Sequence, residues 1–325
     1  MNQLAQKLRE KRFKNGAINF DRYEVKFEID KDGKPISVYF KVSKEANKLI
    51  EEFMLLANRT VAEFIGRPPK GKTKKTFVYR IHELPDPEKM ENFATFIRRF
   101  GYRFKTDGKK SEISKGINSL LDQVQGKPEE NLIETVAIRA MQKAKYSTDN
   151  IGHYGLAFDY YTHFTSPIRR YPDLQIHRII KDNLRGRMNE SKIEHYQSIL
   201  PEVAKRSSEM ERRADEAERE TIKLKKTEYM QAHIGEEFDG VISGITKWGM
   251  YVELPNTIEG LVHVTNMTDD HYEYNEERYE MIGMHTRKVY KLGEALRVQV
   301  LDADRLMRTI DFKIVNQGGA GDGEE

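Results

Sequence analysis

Two prolines five residues apart, Pro167 and Pro172, constrain the stretch His163-Phe164-Thr165-Ser166-Pro167-Ile168-Arg169-Arg170-Tyr171-Pro172-Asp173-Leu174 more tightly than any other part of the chain. Each fixes φ and removes a backbone donor, so a single helix running from Pro167 through Pro172 would lose an internal hydrogen bond. The economical solution is a tight turn at 166–171 and a helix that starts at Pro172, with Asp173 in its first turn. That helix is expected to carry Leu174, Ile179, Ile180 and Leu184 inward and to end near Gly186. The turn then holds Ser166, Arg169 and Arg170 beside the positive end of a helix, which favours a phosphate. Residues 163–187 contain six Lys/Arg against two Asp/Glu, so the local field is cationic. On chemistry alone, the lesser alternative is an ordinary surface turn with its arginines in water.

The rest of the chain supplies a scaffold around that turn. Residues 1–14 suit a helix with Leu4, Leu8 and Phe13 at helical spacing, ended by Gly16. Alternation in 24–28 and 36–42 on either side of Lys31-Asp32-Gly33-Lys34 predicts a β-hairpin. Ser43 caps a long helix to Phe64, whose apolar face is expected to be Leu49, Ile50, Phe53, Met54, Leu56, Ala57, Val61 and Phe64. Glu51 and Glu52 flank that face, and the plain reading of each is a solvated carboxylate. Lys70–Lys75 is a basic loop of the solvated kind. Residues 77–82 read as a short buried strand, with His82 a satisfied core histidine. Helices follow at 88–100, 111–125 and 128–145, then at 191–200 and from Pro201 to 233.

From Phe238 the pattern changes to short alternating strands with glycines at the bends. They lie at 238–254, 258–264, 290–293, 295–303 and 309–314, and suit a small OB-type barrel. Phe238, Val252 and Leu261 are the core candidates, although Trp248 and Tyr251 could also fill the barrel. Residues 271–282 read as an acidic, tyrosine-rich insertion, and 317–325 as a disordered acidic tail. The fold class is therefore α+β with an all-β barrel behind it. Net charge is only +3, and no cysteine is present, which excludes disulfides and thiolate chemistry. No apolar run reaches membrane-spanning length, so no membrane association and a cytoplasmic location are expected.

Taken with Thr162 in front and His177 behind, the 162–174 stretch closely resembles the signature of the ribonuclease II/ribonuclease R family, with ribonuclease R the nearer relative. Tyr79-Arg80-Ile81-His82 followed by Pro85-Asp86-Pro87 resembles it again. Members are processive 3′→5′ exoribonucleases that use magnesium. The resemblance implies that 1–233 is the C-terminal portion of an RNB-type nuclease domain and 234–316 an S1 domain of OB fold. It implies Arg169 on the scissile phosphate or its neighbour, with Arg170 supporting the turn or an adjacent phosphate. Thr165, Ser166 and Pro167 join them as substrate-binding residues. Phe20 falls where relatives stack an aromatic on the 3′-terminal bases, although a core phenylalanine is equally consistent with its residues. Glu51 would reach the ribose hydroxyls, the group that separates RNA from DNA. Glu218, in Ala217-Glu218-Arg219-Glu220, matches a functional glutamate near the active site. On the S1 domain, Lys247, Trp248, Tyr251 and His263 would meet RNA, aromatic rings stacking on bases at about 1–3 kcal/mol each.

The family's metal-binding aspartate cluster does not occur in these 325 residues. Magnesium is implied by resemblance, yet its ligands are not in this chain. Without a metal-held water, hydrolysis lacks its nucleophile. The expectation is an exoribonuclease whose missing N-terminal half is a partner, acting on the 3′ end of single-stranded RNA, with this chain inactive alone. The alternative is a binding module that grips RNA and cuts nothing.

Overall fold

In a computed structural model of the chain, residues 1–19, 24–68, 75–127, 129–276 and 279–315 are described. Phe20, most of the Lys70–Lys75 loop and the tail from 316 lie outside them. The elements run α1 (Asn2–Lys14), β1 (Glu24–Ile29), β2 (Pro35–Lys41), α2 (Glu45–Gly66), β3 (Tyr79–Ile81), α3 (Pro87–Arg98), α4 (Lys110–Val124), α5 (Glu130–Ala140) and β4 (Lys145–Ser147). Then come α6 (Tyr171–Leu184), α7 (Glu190–Gln231), β5 (Glu237–Thr246), β6 (Gly249–Glu253), β7 (Glu259–His263), β8 (Tyr272–Asn275), β9 (Glu280–Gly283), β10 (Val289–Lys291), β11 (Ala295–Asp304) and β12 (Thr309–Ile314). Among the described residues no helix is long and apolar enough to cross a membrane.

The chain forms two compact units that interleave in sequence. The first comprises 1–21, 43–125 and 133–215, the second 22–42, 126–132 and 216–325. In the first, α3 shows how local sequence starts a helix. Asp86 accepts from the amides of Glu88 and Lys89 at 3.0 and 3.3 Å, Pro87 opens the first turn, and Met90, Phe93, Ala94 and Ile97 turn inward. Met90, Phe93 and Ile97 pack with Ile117 and Leu120 of α4 and Ile133 and Ala137 of α5. A second cluster joins Ala62 and Ile65 of α2 to Phe77, Val78, Ile176, Ile179 and Leu200. β3 and β4 pair antiparallel with Arg80 opposite Tyr146.

Several expectations for this unit are corrected. On α1 the buried side chains are Ala5 and Arg12, while Leu4 is exposed. α2 starts at Glu45, and Asn47 rather than Ser43 closes its first turn by accepting from the Lys44 amide at 3.0 Å. Its buried face is Glu52, Leu55, Asn58, Ala62 and Ile65, leaving Ile50, Met54, Leu56 and Phe64 exposed. α6 buries Pro172, Asp173, Gln175, Ile176 and Ile179, and Leu184 is exposed. α7 is one helix of 42 residues with Pro201 inside it. Proline removes one hydrogen bond there, but Tyr196, Leu200 and Ala204 are packed on both sides of it and hold the helix together.

The second unit contains a two-stranded hairpin, β1–β2, and a closed barrel in the order β11-β12-β7-β6-β5. The barrel closes through a parallel pairing of Asp311 and Phe312 with Leu261 and Val262. Period-2 alternation sends Met250, Val252, Val262, Val298, Val300 and Phe312 inward. Leu261 alternates outward, opposite Tyr251, and does not belong to the core. The 271–282 stretch is inserted between the barrel strands β7 and β11. With 289–291 it forms a three-stranded sheet whose Tyr272, Met281 and Tyr290 are buried in the same core as the barrel residues, so the 290–293 strand is not part of the barrel.

Candidate nucleic-acid interface

Around the signature, the first unit uses buried polar contacts to fix the backbone. Thr162 donates to the Val78 carbonyl at 2.7 Å, and the Phe164 amide donates to Asn58 Oδ1 at 2.9 Å. Asn58, buried on α2, also donates to the Tyr161 hydroxyl at 3.1 Å. Phe164 stacks on His177 with ring centres 4.1 Å apart, and His177 Nε2 bonds the Phe164 carbonyl at 2.9 Å. The strand-like entry is thereby locked on both sides before the turn begins.

The turn itself is shorter than expected, and the helix begins one residue earlier. The amides of Arg169 and Arg170 donate to the Ser166 carbonyl at 3.3 and 3.0 Å, and α6 starts at Tyr171 with Pro172 in its first turn. Asp173 is fully buried and its Oδ2 accepts from the Ser166 amide at 2.8 Å and from Arg170 Nη2 at 2.8 Å. Arg169 and Ile168 are exposed, Ile168 almost completely. Thr165 Oγ1 is buried without a partner among the described residues. Pro167 is half-buried.

Behind the turn, His163 and the Tyr146 hydroxyl are hydrogen-bonded at 2.8 Å, and Arg80 lies over the Tyr146 ring at 4.8 Å. Burial, reinforced by Arg170 and Arg80, lowers the His163 pKa to about 2, so its imidazole is neutral. Burial and the neighbouring His82 lower that of His153 to about 3. His82 receives the Gly155 amide on Nδ1 at 3.0 Å and bonds the Gln142 carbonyl through Nε2 at 2.7 Å, as a satisfied core histidine does. A cleft of about 870 Å³ in this unit is lined by His82, His153 and Tyr154, but by none of the predicted site residues.

Glu51 is half exposed and lies 3.4 Å from Arg12 Nη2. Glu52 is not solvated but buried against the same guanidinium. Glu218 is exposed on the part of α7 that belongs to the second unit. Among the described residues no three His, Asp or Glu side chains converge as a metal ion would need.

On the barrel, Thr246 and Gly249 pair across the Lys247-Trp248 turn. Trp248 is exposed, with the Lys247 ammonium 4.8 Å from its ring centre. Tyr251 and His263 alternate away from the barrel core, in strand positions opposite Leu261 and Gly249. His263 bonds Thr265 Oγ1 at 2.7 Å. The sequence reading named Asp173 as a first-turn residue of α6 and His177 as part of the signature without assigning the contacts they make, and it did not single out Asn58.

Comparisons with known proteins agree on the family. The RNB domain model matches residues 1–186 and the S1 RNA binding domain model residues 231–314. Ribonuclease R of Thermotoga maritima is 43% identical over 97% of this chain, which covers 44% of that protein. Ribonuclease R 1 of Lactococcus lactis is 40% identical over 93% of this chain and 36% of its own length. Mycoplasma genitalium RNase R, solved in complex with ribose methylated single-stranded RNA, superposes with a TM-score of 0.87 at 27% identity, over 97% of this chain and 48% of its own. The chain thus spans less than half of each of these relatives. With its RNB domain followed by an S1 domain, the chain belongs to the RNB domain family, and the relatives it resembles are named ribonuclease R.

Proposed function

We propose that this chain is the RNA-gripping C-terminal portion of a cytoplasmic, processive 3′→5′ exoribonuclease of the ribonuclease R type, which hydrolyses single-stranded RNA to nucleoside monophosphates. The observation that carries this is the turn of 166–170, which exposes Arg169 beside the first turn of α6. A guanidinium and a helix N-terminus together suit a phosphodiester. Arg169 contacts the scissile phosphate or its neighbour, and Glu51 faces the ribose hydroxyls. Phe20 stacks on the terminal bases, Glu218 is a functional glutamate of the reaction, and Lys247, Trp248, Tyr251 and His263 contact RNA on the barrel. Magnesium and the carboxylates that carry it come from residues outside these 325, in the polypeptide that forms the rest of such an enzyme.

The test is incubation of the purified 325-residue chain with single-stranded RNA bearing a free 3′ end, at several magnesium concentrations. The chain alone is expected to bind but not to shorten the RNA, because loss of a metal-held nucleophile abolishes rather than grades the reaction. Addition of the N-terminal half of a ribonuclease R in trans is expected to restore stepwise shortening. Shortening by the lone chain would relocate the metal site into it. RNA binding without restoration would leave an RNA-binding module that cuts nothing.

A further inference from the structure

Two adjacent arginines in a phosphate-binding turn invite the assumption that both bind phosphate. The contacts separate them. Asp173 is 0% exposed, and its Oδ2 collects every side-chain and amide donor recorded for it, namely Ser166 N–H at 2.8 Å, Arg170 Nη2 at 2.8 Å and Arg170 Nε at 3.2 Å. Its Oδ1 is buried with no partner among the described residues. Arg170 is 18% exposed, while Arg169 is exposed and its side chain makes no hydrogen bond or ion pair among the described residues.

We propose that Asp173 is a positioning residue that withdraws Arg170 from ligand binding and leaves Arg169 as the single phosphate-binding cation of the turn. This rests on the reading of the turn as a phosphate site. The reason is electrostatic. For Arg170 to reach a phosphate it would have to leave a buried carboxylate whose other oxygen is already without a donor, and a bare buried charge is strongly unfavourable. Arg169 has no such tie, so its planar fork is free for a phosphate oxygen. The same carboxylate also holds the Ser166 amide, so the neutralisation of Arg170 and the shape of the turn are set by one side chain.

Two readouts test this on the full 325-residue chain. The first needs no RNA: modification by phenylglyoxal, mapped by mass spectrometry. Arg169 is expected to react faster than Arg170 by roughly tenfold or more, the factor that one hydrogen bond to a charged group supplies. Asp173→Asn is expected to bring Arg170 up to the rate of Arg169. Equal rates in the unaltered chain, or an Arg170 still protected in folded Asp173→Asn, would overturn the proposal.

The second readout is the salt dependence of binding to a fluorescent single-stranded RNA dodecamer. Arg169→Gln should make the slope of log K against log salt shallower by about 0.7, the loss of one phosphate contact, and Asp173→Asn should steepen it by a similar amount. Arg170→Gln should leave the slope unchanged. A shallower slope in Arg170→Gln would make Arg170 a phosphate contact and overturn the proposal. That comparison decides the matter even if Asp173→Asn does not fold. Failure of the unaltered chain to bind RNA would instead remove the functional reading, while the phenylglyoxal pattern still decides the division between the arginines.

Discussion

Glu52 of α2 is buried against Arg12 of α1, its Oε1 accepting from Arg12 Nε at 3.2 Å and from Nη2, while the neighbouring Glu51 lies half exposed at 3.4 Å from the same Nη2. Two adjacent carboxylates on one helix are thus divided between a structural and an accessible position. Removing one partner of a buried pair leaves the other charge without compensation. Glu52→Ala is therefore expected to destabilise the first unit by about 3–5 kcal/mol, seen as a large fall in the melting temperature. Glu51→Ala is expected to change stability by less than about 1 kcal/mol, as an exposed pair does. If Glu51 faces the ribose, its loss should weaken binding of an RNA oligonucleotide while sparing the DNA of the same sequence. A Glu51→Ala chain that keeps its RNA preference would remove that role.

The same two residues show what was legible beforehand. Counting apolar residues on α2 selected a face on which Leu49, Phe53, Ala57 and Val61 are half-buried but Ile50, Met54, Leu56 and Phe64 are exposed, because these are more hydrophobic than the Glu52 and Asn58 that occupy buried positions. A buried polar residue is invisible to hydrophobic periodicity, since its partner, here Arg12 or the Phe164 amide, comes from elsewhere in the chain. The 166–173 turn was legible for the opposite reason. Pro167 and Pro172 restrict the backbone by themselves, so the local sequence suffices to separate turn from helix. In the barrel, alternation placed Val252 inside correctly. Leu261 was misassigned because hydrophobicity alone does not reveal which strand face is closed.

His163 and His153 make the first unit sensitive to acid. Burial holds their folded pKa values at about 2 and about 3, below the usual value near 6.5, against Arg170 and Arg80 in the first case and His82 and Arg80 in the second. Their contribution to stability is complete above about pH 6.5 and is lost as pH falls toward the folded values, because the unfolded chain takes up the protons first. Each histidine should add a slope of about 1.4 kcal/mol per pH unit across that window. Urea denaturation of the chain between pH 7 and pH 4 should show stability falling with pH, and His163→Gln should flatten the fall. An equal slope in the variant would mean that His163 titrates freely in the folded protein.

Gly249 opens β6 with φ of +142°, and a Cβ there would lie 2.1 Å from the Val262 carbonyl oxygen. Both the conformation and the approach of β7 require glycine. Gly249→Ala should cost more than the roughly 1 kcal/mol of an ordinary glycine replacement and melt the barrel first. Because the Lys247-Trp248 turn ends at this glycine, RNA binding by the barrel should fall with it. Gly33, also at positive φ but with open space around its Cβ position, provides the contrast. Gly33→Ala should cost strain alone, and circular dichroism melts of the two variants would separate strain from collision.

Trp248 and Tyr251 test whether the outer face of the barrel meets RNA. Trp248 is 59% exposed, and Tyr251 alternates away from a core in which Met250 and Val252 are fully buried. Replacing both with alanine removes little packed surface, so the melting temperature should move only slightly. Affinity for single-stranded RNA should fall by about 1–3 kcal/mol for each ring that stacks on a base, with no dependence on base sequence. The salt slope should barely change, because the rings neutralise no phosphate, whereas Lys247→Gln should make it shallower by about 0.7. Fluorescence anisotropy titrations at several salt concentrations measure both quantities in one series. A double variant that melts early but binds normally once folded would make the rings structural; one that melts normally and binds weakly makes this face the path of the RNA.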